Sequence, residues 1–254
     1  MDCSKEARKE LLMCEVFNFK QFNIHQEKCA MKVGTDGVLL GAWAQGGRHM
    51  LDVGCGTGII SLMLAQRFSD ADITSIDIVD ECCQQTRENA DRTPWAHRIA
   101  VVNQSLQDFT ALHLAQVENG EASLFDAIVS NPPFFVDSLK NPDEKRTLAR
   151  HTDSLPLSTL ARSVSRLLSD DGVFSVMLTS ECYKDFIDEA WFSGLFLVED
   201  LAVKTTIKKS PKRHLLLFSK QRPMEVRCSE QLLQNPDGSR SLWYQKLSDD
   251  FYVK

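Results

Sequence analysis

The sequence has no stretch approaching the roughly 20 consecutive apolar residues that a membrane-spanning helix needs. Its opening, MDCSKEARKE, is charged where a secretory leader would be apolar. A cytoplasmic protein with no membrane partner is expected. The eight cysteines (Cys3, Cys14, Cys29, Cys55, Cys82, Cys83, Cys182, Cys228) include no C-x-x-C pair. They therefore match neither a zinc-ligand pattern nor the framework of a small secreted domain, and reduced thiols with no metal are expected. Positive charge is not in excess: 29 Lys and Arg against 35 Asp and Glu give a formal charge of -6. That excludes a histone-like binder and leaves any nucleic-acid contact to a local basic patch. Internal repeats, low-complexity tracts and linker-like composition are also missing, and nothing in the sequence calls for an obligate protein partner. With 254 residues, 43% of them apolar, one large domain with a sizeable core is the expected organisation.

What is present from Met50 onward is an alternation of short apolar strands with longer segments of helical period, the pattern of a parallel sheet with crossover helices. HMLDVG, ADITSIDI, RIAVVNQSL and FDAIVSN read as the first four strands. GIISLMLAQRF places Ile59, Ile60, Met63 and Leu64 on one helical face, and DECCQQTRENADR reads as the next helix. HLAQVENGEASL, which contains Gly120, reads as a polar surface connection. Leu157, Leu160, Ala161, Val164, Leu167 and Leu168 recur at three and four behind a cap at Thr152, Asp153 or Ser154, and Asp170-Asp171-Gly172 is expected to stop that helix. GVFSVML, LFLVEDLAVK and HLLLFSK bring the count to seven strands with a late antiparallel pair. ECYKDFIDEAWFSG reads as a helix ending at Gly194, and SLWYQKLSDDFY as a closing helix after the Asn235-Pro236-Asp237-Gly238 turn. The expected fold is α/β, a seven-stranded, mostly parallel sheet with helices on both faces, over residues 50–254. Residues 1–49 read as a short cap: Phe17, Phe19, Phe22 and Ile24 suggest a strand or hairpin, and Thr35-Asp36 opens a helix.

Asp52, Gly54, Gly56 and Gly58 stand at a strand-to-helix junction, where glycines let the backbone turn tightly and approach a ligand. A dinucleotide cradle would need glycine at position 59, which is Ile59, and no P-loop lysine follows, so a nucleoside cofactor fits better. Asp77 ends the second strand 19 residues after Gly58, where a carboxylate can accept from ribose hydroxyls. Asp108, past the third strand, is placed to accept from an adenine amino group. Singly, such carboxylates and glycine turns are common; their shared register raises them. These residues resemble the S-adenosylmethionine-dependent class I methyltransferases. The resemblance implies S-adenosylmethionine as cofactor, S-adenosylhomocysteine as product, and a Rossmann-like sheet whose last strand is antiparallel.

Asn131-Pro132-Pro133-Phe134 follows the fourth strand at its carboxyl end, the ligand-bearing edge of an open sheet. An exocyclic amino nitrogen on a base is a poor nucleophile because its lone pair is delocalised into the ring. If the Asn131 side-chain oxygen and the Pro132 carbonyl accept its two hydrogens, the nitrogen can pyramidalise. Phe134 offers a face for an unpaired or flipped base to stack on. This tetrad looks like the motif of methyltransferases acting on adenine N6, guanine N2 or a glutamine amide. With Phe19-Lys20-Gln21-Phe22, Lys32-Val33-Gly34-Thr35-Asp36-Gly37, Ala149-Arg150-His151 and Asp250-Phe251-Tyr252, nearly the whole chain is similar to the bacterial tRNA (adenine-N6)-methyltransferases acting on valine tRNA. That resemblance implies the adenine 3′ of the anticodon as target. A guanine-N2 ribosomal RNA enzyme, a glutamine-amide enzyme and a non-catalytic RNA- or cofactor-binding protein remain as alternatives; the short, partly strand-like N-terminus disfavours the glutamine enzyme.

Two basic clusters are candidates for the tRNA anticodon region: Lys204, Lys208, Lys209, Lys212 and Arg213 between the last two strands, and Lys140, Lys145, Arg146, Arg150 and His151 after the Asn-Pro-Pro-Phe corner. Each reads equally well as a solvated loop, and His151 equally as a cap or packing residue. Thr35, beginning a helix, is a candidate to present free amides to the carboxylate of the cofactor or simply to cap the helix.

Overall fold

The computed structural model describes residues 16–132 and 155–253. A two-stranded antiparallel hairpin, β1 (Phe17–Asn18) and β2 (Asn23–Ile24), precedes helix α1 (Thr35–Trp43). The chain then alternates through β3 (His49–Val53), α2 (Ile59–Arg67), β4 (Asp72–Asp77), α3 (Asp80–Asp91), β5 (Ile99–Asn103), α4 (Leu106–Glu118) and β6 (Phe125–Ser130). From residue 155 it continues through α5 (Leu157–Leu167), β7 (Leu168–Thr179), α6 (Tyr183–Phe192), β8 (Phe196–Lys204), β9 (Arg213–Ser219), β10 (Arg227–Leu232) and α7 (Leu242–Ser248).

One eight-stranded sheet results, in the order β10-β8-β9-β7-β6-β3-β4-β5. Every pairing in it is parallel except those that β9 makes with β7 and β8. From β3 the chain steps outward to β4 and β5, then returns to lay β6 on the other side of β3. This reversal opens a crevice at the carboxyl ends of β3 and β6, because their outgoing connections diverge to opposite faces.

Alternation along β3 feeds two cores. Met50 packs with Leu39, Leu40, Met63 and Leu64 from α1 and α2, whereas Leu51 and Val53 pack with Phe109, Leu160, Val164 and Phe186 from α4, α5 and α6. The hairpin inserts Phe19, Phe22 and Ile24 into the first core, each contributing about 1.5–3 kcal/mol of burial. The C-terminal segment closes over the hairpin, with the Lys20 amide donating to the Phe251 carbonyl at 2.8 Å and Phe19 bridging Tyr252. Among the described residues no helix is long and apolar enough to cross a membrane.

The structure departs from the sequence reading in four places. An eighth strand, β10, joins the sheet edge parallel to β8; most of its residues are exposed, so it carries no hydrophobic alternation to reveal it. The supposed polar connection after the third strand is the second half of α4. Ser105 caps that helix by accepting from the Asp108 amide, and Leu106 and Phe109 bury one face while the rest stays polar. Asp170, Asp171 and Gly172 do not separate α5 from its strand: β7 begins at Leu168, and these residues fall at a register shift where Phe125 faces Leu168 and Ala127 faces Val173. Finally, the N-cap of α1 is Gly34, without a side-chain cap, and Thr35 is the first helical residue. The caps expected for α5 at Thr152, Asp153 or Ser154 lie outside the described residues.

Candidate active site

Val53 and Ser130 are register partners at the carboxyl ends of β3 and β6. The glycine loop leaves from one and the Asn131-Pro132 corner from the other, so two motifs more than 70 residues apart in sequence become neighbours. The Ser130 hydroxyl donates to the Val53 carbonyl at 2.9 Å and pins the two ends together. Pro132 is buried and Asn131 half-exposed at the crevice. Pro133 and Phe134, and the second basic cluster with Arg146, Arg150 and His151, lie outside the described residues.

The loop takes its shape from positive φ at Gly54 (77°), Gly56 (55°) and Gly58 (80°), a region that L side chains avoid. The amides of Gly54 and Cys55 both donate to the Ile76 carbonyl, at 2.9 and 3.0 Å, and hang the loop on the end of β4. A Cβ at Gly54 or Gly56 would meet nothing within 4 Å, so open space lies over the loop there. At Gly58 a Cβ would sit 2.9 Å from the Thr86 methyl group, because α3 packs directly beneath.

Asp77 stands at the end of β4 as expected. Its Oδ2 accepts from the Gly56 amide at 2.9 Å and its Oδ1 from the Val79 amide at 3.0 Å, so the carboxylate braces the loop it faces. Burial nonetheless pushes its pKa up, the amide bonds opposing that only in part. Asp52 is different. Its side chain points inward beneath the loop with no exposure, Oδ2 accepts from the Ser61 hydroxyl at 2.5 Å, and Oδ1 has no partner among the described residues. Desolvation drives this carboxyl up to about 7. The residue thus supports the loop from below and does not line the crevice. Asp108 is not gathered into the loop: it is exposed in the first turn of α4, where its carboxylate accepts from the Ser105 hydroxyl at 2.7 Å. Thr35 is exposed at the start of α1.

The first basic cluster lies on the same sheet edge, since Arg213 pairs in register with Thr179, the last residue of β7. Lys208 and Lys209 are exposed in the β8–β9 turn. Lys204 is engaged by Glu230 at 2.7 Å, and Arg213 pairs with Asp36 of α1. Among the described residues no group of three or more His, Cys, Asp or Glu is arranged to hold a metal ion.

Sequence reasoning missed the supports on α3 and β5. Asn89 donates to the Thr57 carbonyl at 2.8 Å and exchanges bonds with the His25 backbone, Gln85 accepts from the Lys28 amide, and Thr86 donates to the Gly56 carbonyl at 3.0 Å. Asn103 steadies the Asp77–Ile78 corner by donating to both carbonyls. The available signal was a helix, DECCQQTRENADR, with few large apolar residues: its buried face is made of Cys83, Gln85, Thr86, Asn89 and Ala90.

Residues 44–222 match a family model described as a methyltransferase domain, and with a glycine loop at the switch point of a doubly wound sheet they define a Rossmann-like methyltransferase. The fold is similar to that of a protein from Agrobacterium tumefaciens described as a predicted O-methyltransferase, with a TM-score of 0.62 at 18% identity over 87% of this chain and 98% of that one. More specifically, the chain belongs to the tRNA1(Val) (adenine(37)-N6)-methyltransferase family. It is 47% identical over 204 residues to the Phocaeicola vulgatus member, covering 80% of this chain and 82% of that one. It is 44% identical over 243 residues to a Bacteroides fragilis member, covering 94% and 98%.

Proposed function

We propose that this chain methylates the N6 amino group of an unpaired adenine in tRNA, namely adenine 37, just 3′ of the anticodon in a valine tRNA, and that it does so in the cytoplasm. The observation that carries the reading is the Val53–Ser130 register, which sets Asn131-Pro132 beside the glycine loop. The relatives named above support the substrate.

S-adenosylmethionine, when bound, supplies an electrophilic methyl group on a sulfonium and leaves as S-adenosylhomocysteine. The residues present fit such a ligand: there is open room over Gly54 and Gly56, and a carboxylate at the adjacent strand end. In this reading the loop backbone holds the cofactor, Asp77 accepts from its ribose hydroxyls, and Asp108 accepts from its adenine amino group. Asp52 stiffens the loop through Ser61. The exposed amides at Thr35 receive the carboxylate of the cofactor.

Asn131 Oδ1 and the Pro132 carbonyl accept the two N6 hydrogens of the target base. They draw the nitrogen out of conjugation and fix its orientation, so positioning replaces a strong general base. Once alkylated, the nitrogen gives up its surplus proton to water. Phe134 stacks on the extruded base. Lys204, Lys208, Lys209 and Arg213, with Arg146, Arg150 and His151, which follow the corner in sequence, meet the anticodon arm. Affinity for RNA therefore falls steeply with salt.

The test is incubation with bulk tRNA and labelled cofactor, followed by nucleoside mass analysis. N6-methyladenosine in valine tRNA is expected. N2-methylguanosine, or no methylated nucleoside, overturns the reading.

A further inference from the structure

A cavity of about 510 Å³ lies on the carboxyl edge of the sheet, and Gly34 and Thr35 at the start of α1 form the side of it that adjoins the proposed cofactor site. It forms where the N-terminal hairpin, the β8–β9 turn and the C-terminal segment meet. Phe17, Arg213, Gln234, Arg240, Tyr244 and Tyr252 supply the chemistry of its lining.

Arg240 is the distinctive member. Its guanidinium lies over the Tyr252 ring at 4.2 Å and near Tyr244 at 5.6 Å, and it forms no ion pair among the described residues. The two tyrosine hydroxyls are hydrogen-bonded to each other at 3.0 Å, and Phe17 packs 6.2 Å from Tyr252, so the stack is held from behind. The Arg240 backbone is held as well: its carbonyl accepts from Asn235 at 3.2 Å and from Gln245 at 2.6 Å, and Gln234 bridges it across the turn. A planar cation is thereby pre-set at the mouth of a cavity, with no partner for its donors among the described residues. Its partner Arg213, by contrast, is already neutralised by Asp36.

A guanidinium with free donors takes a phosphate in a fork, and aromatic faces take a base. From the placement of this cavity we infer that it is a nucleotide subsite for the RNA substrate. It would hold a nucleotide near the methylated one in sequence, with the phosphate on Arg240, the base against the half-buried Phe17, and Gln234 able to read a base edge. Arg213 is on β9, two strands from β6. The near wall of the subsite is therefore about 10 Å across the sheet from the strand carrying Asn131, and Gln234, just past β10, lies two strands further out, a span of a few unstacked nucleotides. The inference rests on the reading of the chain as an RNA methyltransferase and adds a specificity element to it.

Arg240→Ala, Arg240→Lys and the wild type are compared by methyl-transfer kinetics on unmodified valine tRNA at several salt concentrations, with cofactor affinity and melting temperature measured alongside. Arg227→Ala, at the far end of β10 from the cavity and paired with Glu199, controls for simple loss of charge. For Arg240→Ala, KM for tRNA should rise about tenfold with kcat at saturating RNA near the wild-type value, and the salt slope should fall by about one. Arg240→Lys should recover the slope but less than half of the affinity. Arg240 is exposed and its backbone bonds do not involve the side chain, so folding should be unaffected. An unchanged KM in Arg240→Ala, a loss equal to that of Arg227→Ala, full rescue by lysine, or a loss confined to kcat would each overturn the inference. If the wild type methylates no tRNA, the broader reading fails instead.

Discussion

The Ser130 hydroxyl donates to the Val53 carbonyl at 2.9 Å, both residues being essentially buried at the ends of adjacent parallel strands. This one bond joins the strand that delivers the cofactor loop to the strand that delivers the acceptor corner. Ser130→Ala leaves a buried carbonyl short of a partner. It should lower stability by about 1–2 kcal/mol in a urea titration. Because the corner then loses its anchor, kcat should drop several-fold while cofactor affinity stays near the wild-type value.

Asp52 sets a pH dependence. Its folded-state pKa of about 7 lies above the ordinary aspartate value of 3.8. Between about pH 4 and pH 7 the folded chain therefore keeps a proton that the unfolded chain has released, and stability falls as pH rises through that window. The full penalty, reached above pH 7, is on the order of 4 kcal/mol. Asp52→Asn removes the titration. Relative to wild type, the variant should gain about 2–3 kcal/mol between pH 5 and pH 8, as read from urea midpoints. Comparing one variant at two pH values cancels any fixed packing loss, and a flat difference would contradict the assignment.

Gly58 tests the loop itself. At φ of 80° alanine incurs about 1–2 kcal/mol of backbone strain, and its Cβ lands 2.9 Å from the Thr86 methyl group. Gly58→Ala should weaken cofactor binding at least tenfold by calorimetry. Adding Thr86→Ser removes the closest contact but leaves the hydroxyl oxygen at 3.1 Å and the backbone strain, so the double variant should recover only part of the loss.

How much of this was legible beforehand follows from what each element exposes. The parallel strands and α2 announce themselves because both faces of the sheet are covered and the apolar runs are dense. Strand β10 does not, since an exposed edge strand needs no apolar alternation. Helix α4 was half lost because only its first turn and one face touch the core. At the site, the glycines, Asp77 and Asn131 stand out by residue type and spacing. The proximity of Ser130 to Val53 depends on strand order, which no local pattern encodes. Asp52 was visible as a member of the motif, but its inward direction follows from the pleat of β3, which turns it with Met50 toward α2. Arg240 and Tyr252 meet only through the closure of the C-terminal segment.

The measurement that bears most directly on the whole is single-turnover methyl transfer by Asn131→Ala on unmodified valine tRNA, with cofactor binding measured in parallel. Loss of one of two acceptors on the N6 group should slow the chemical step by about 10²-fold or more, with cofactor affinity unchanged and N6-methyladenosine as the residual product. Wild-type rates in Asn131→Ala, or a wild-type product other than N6-methyladenosine, would contradict it.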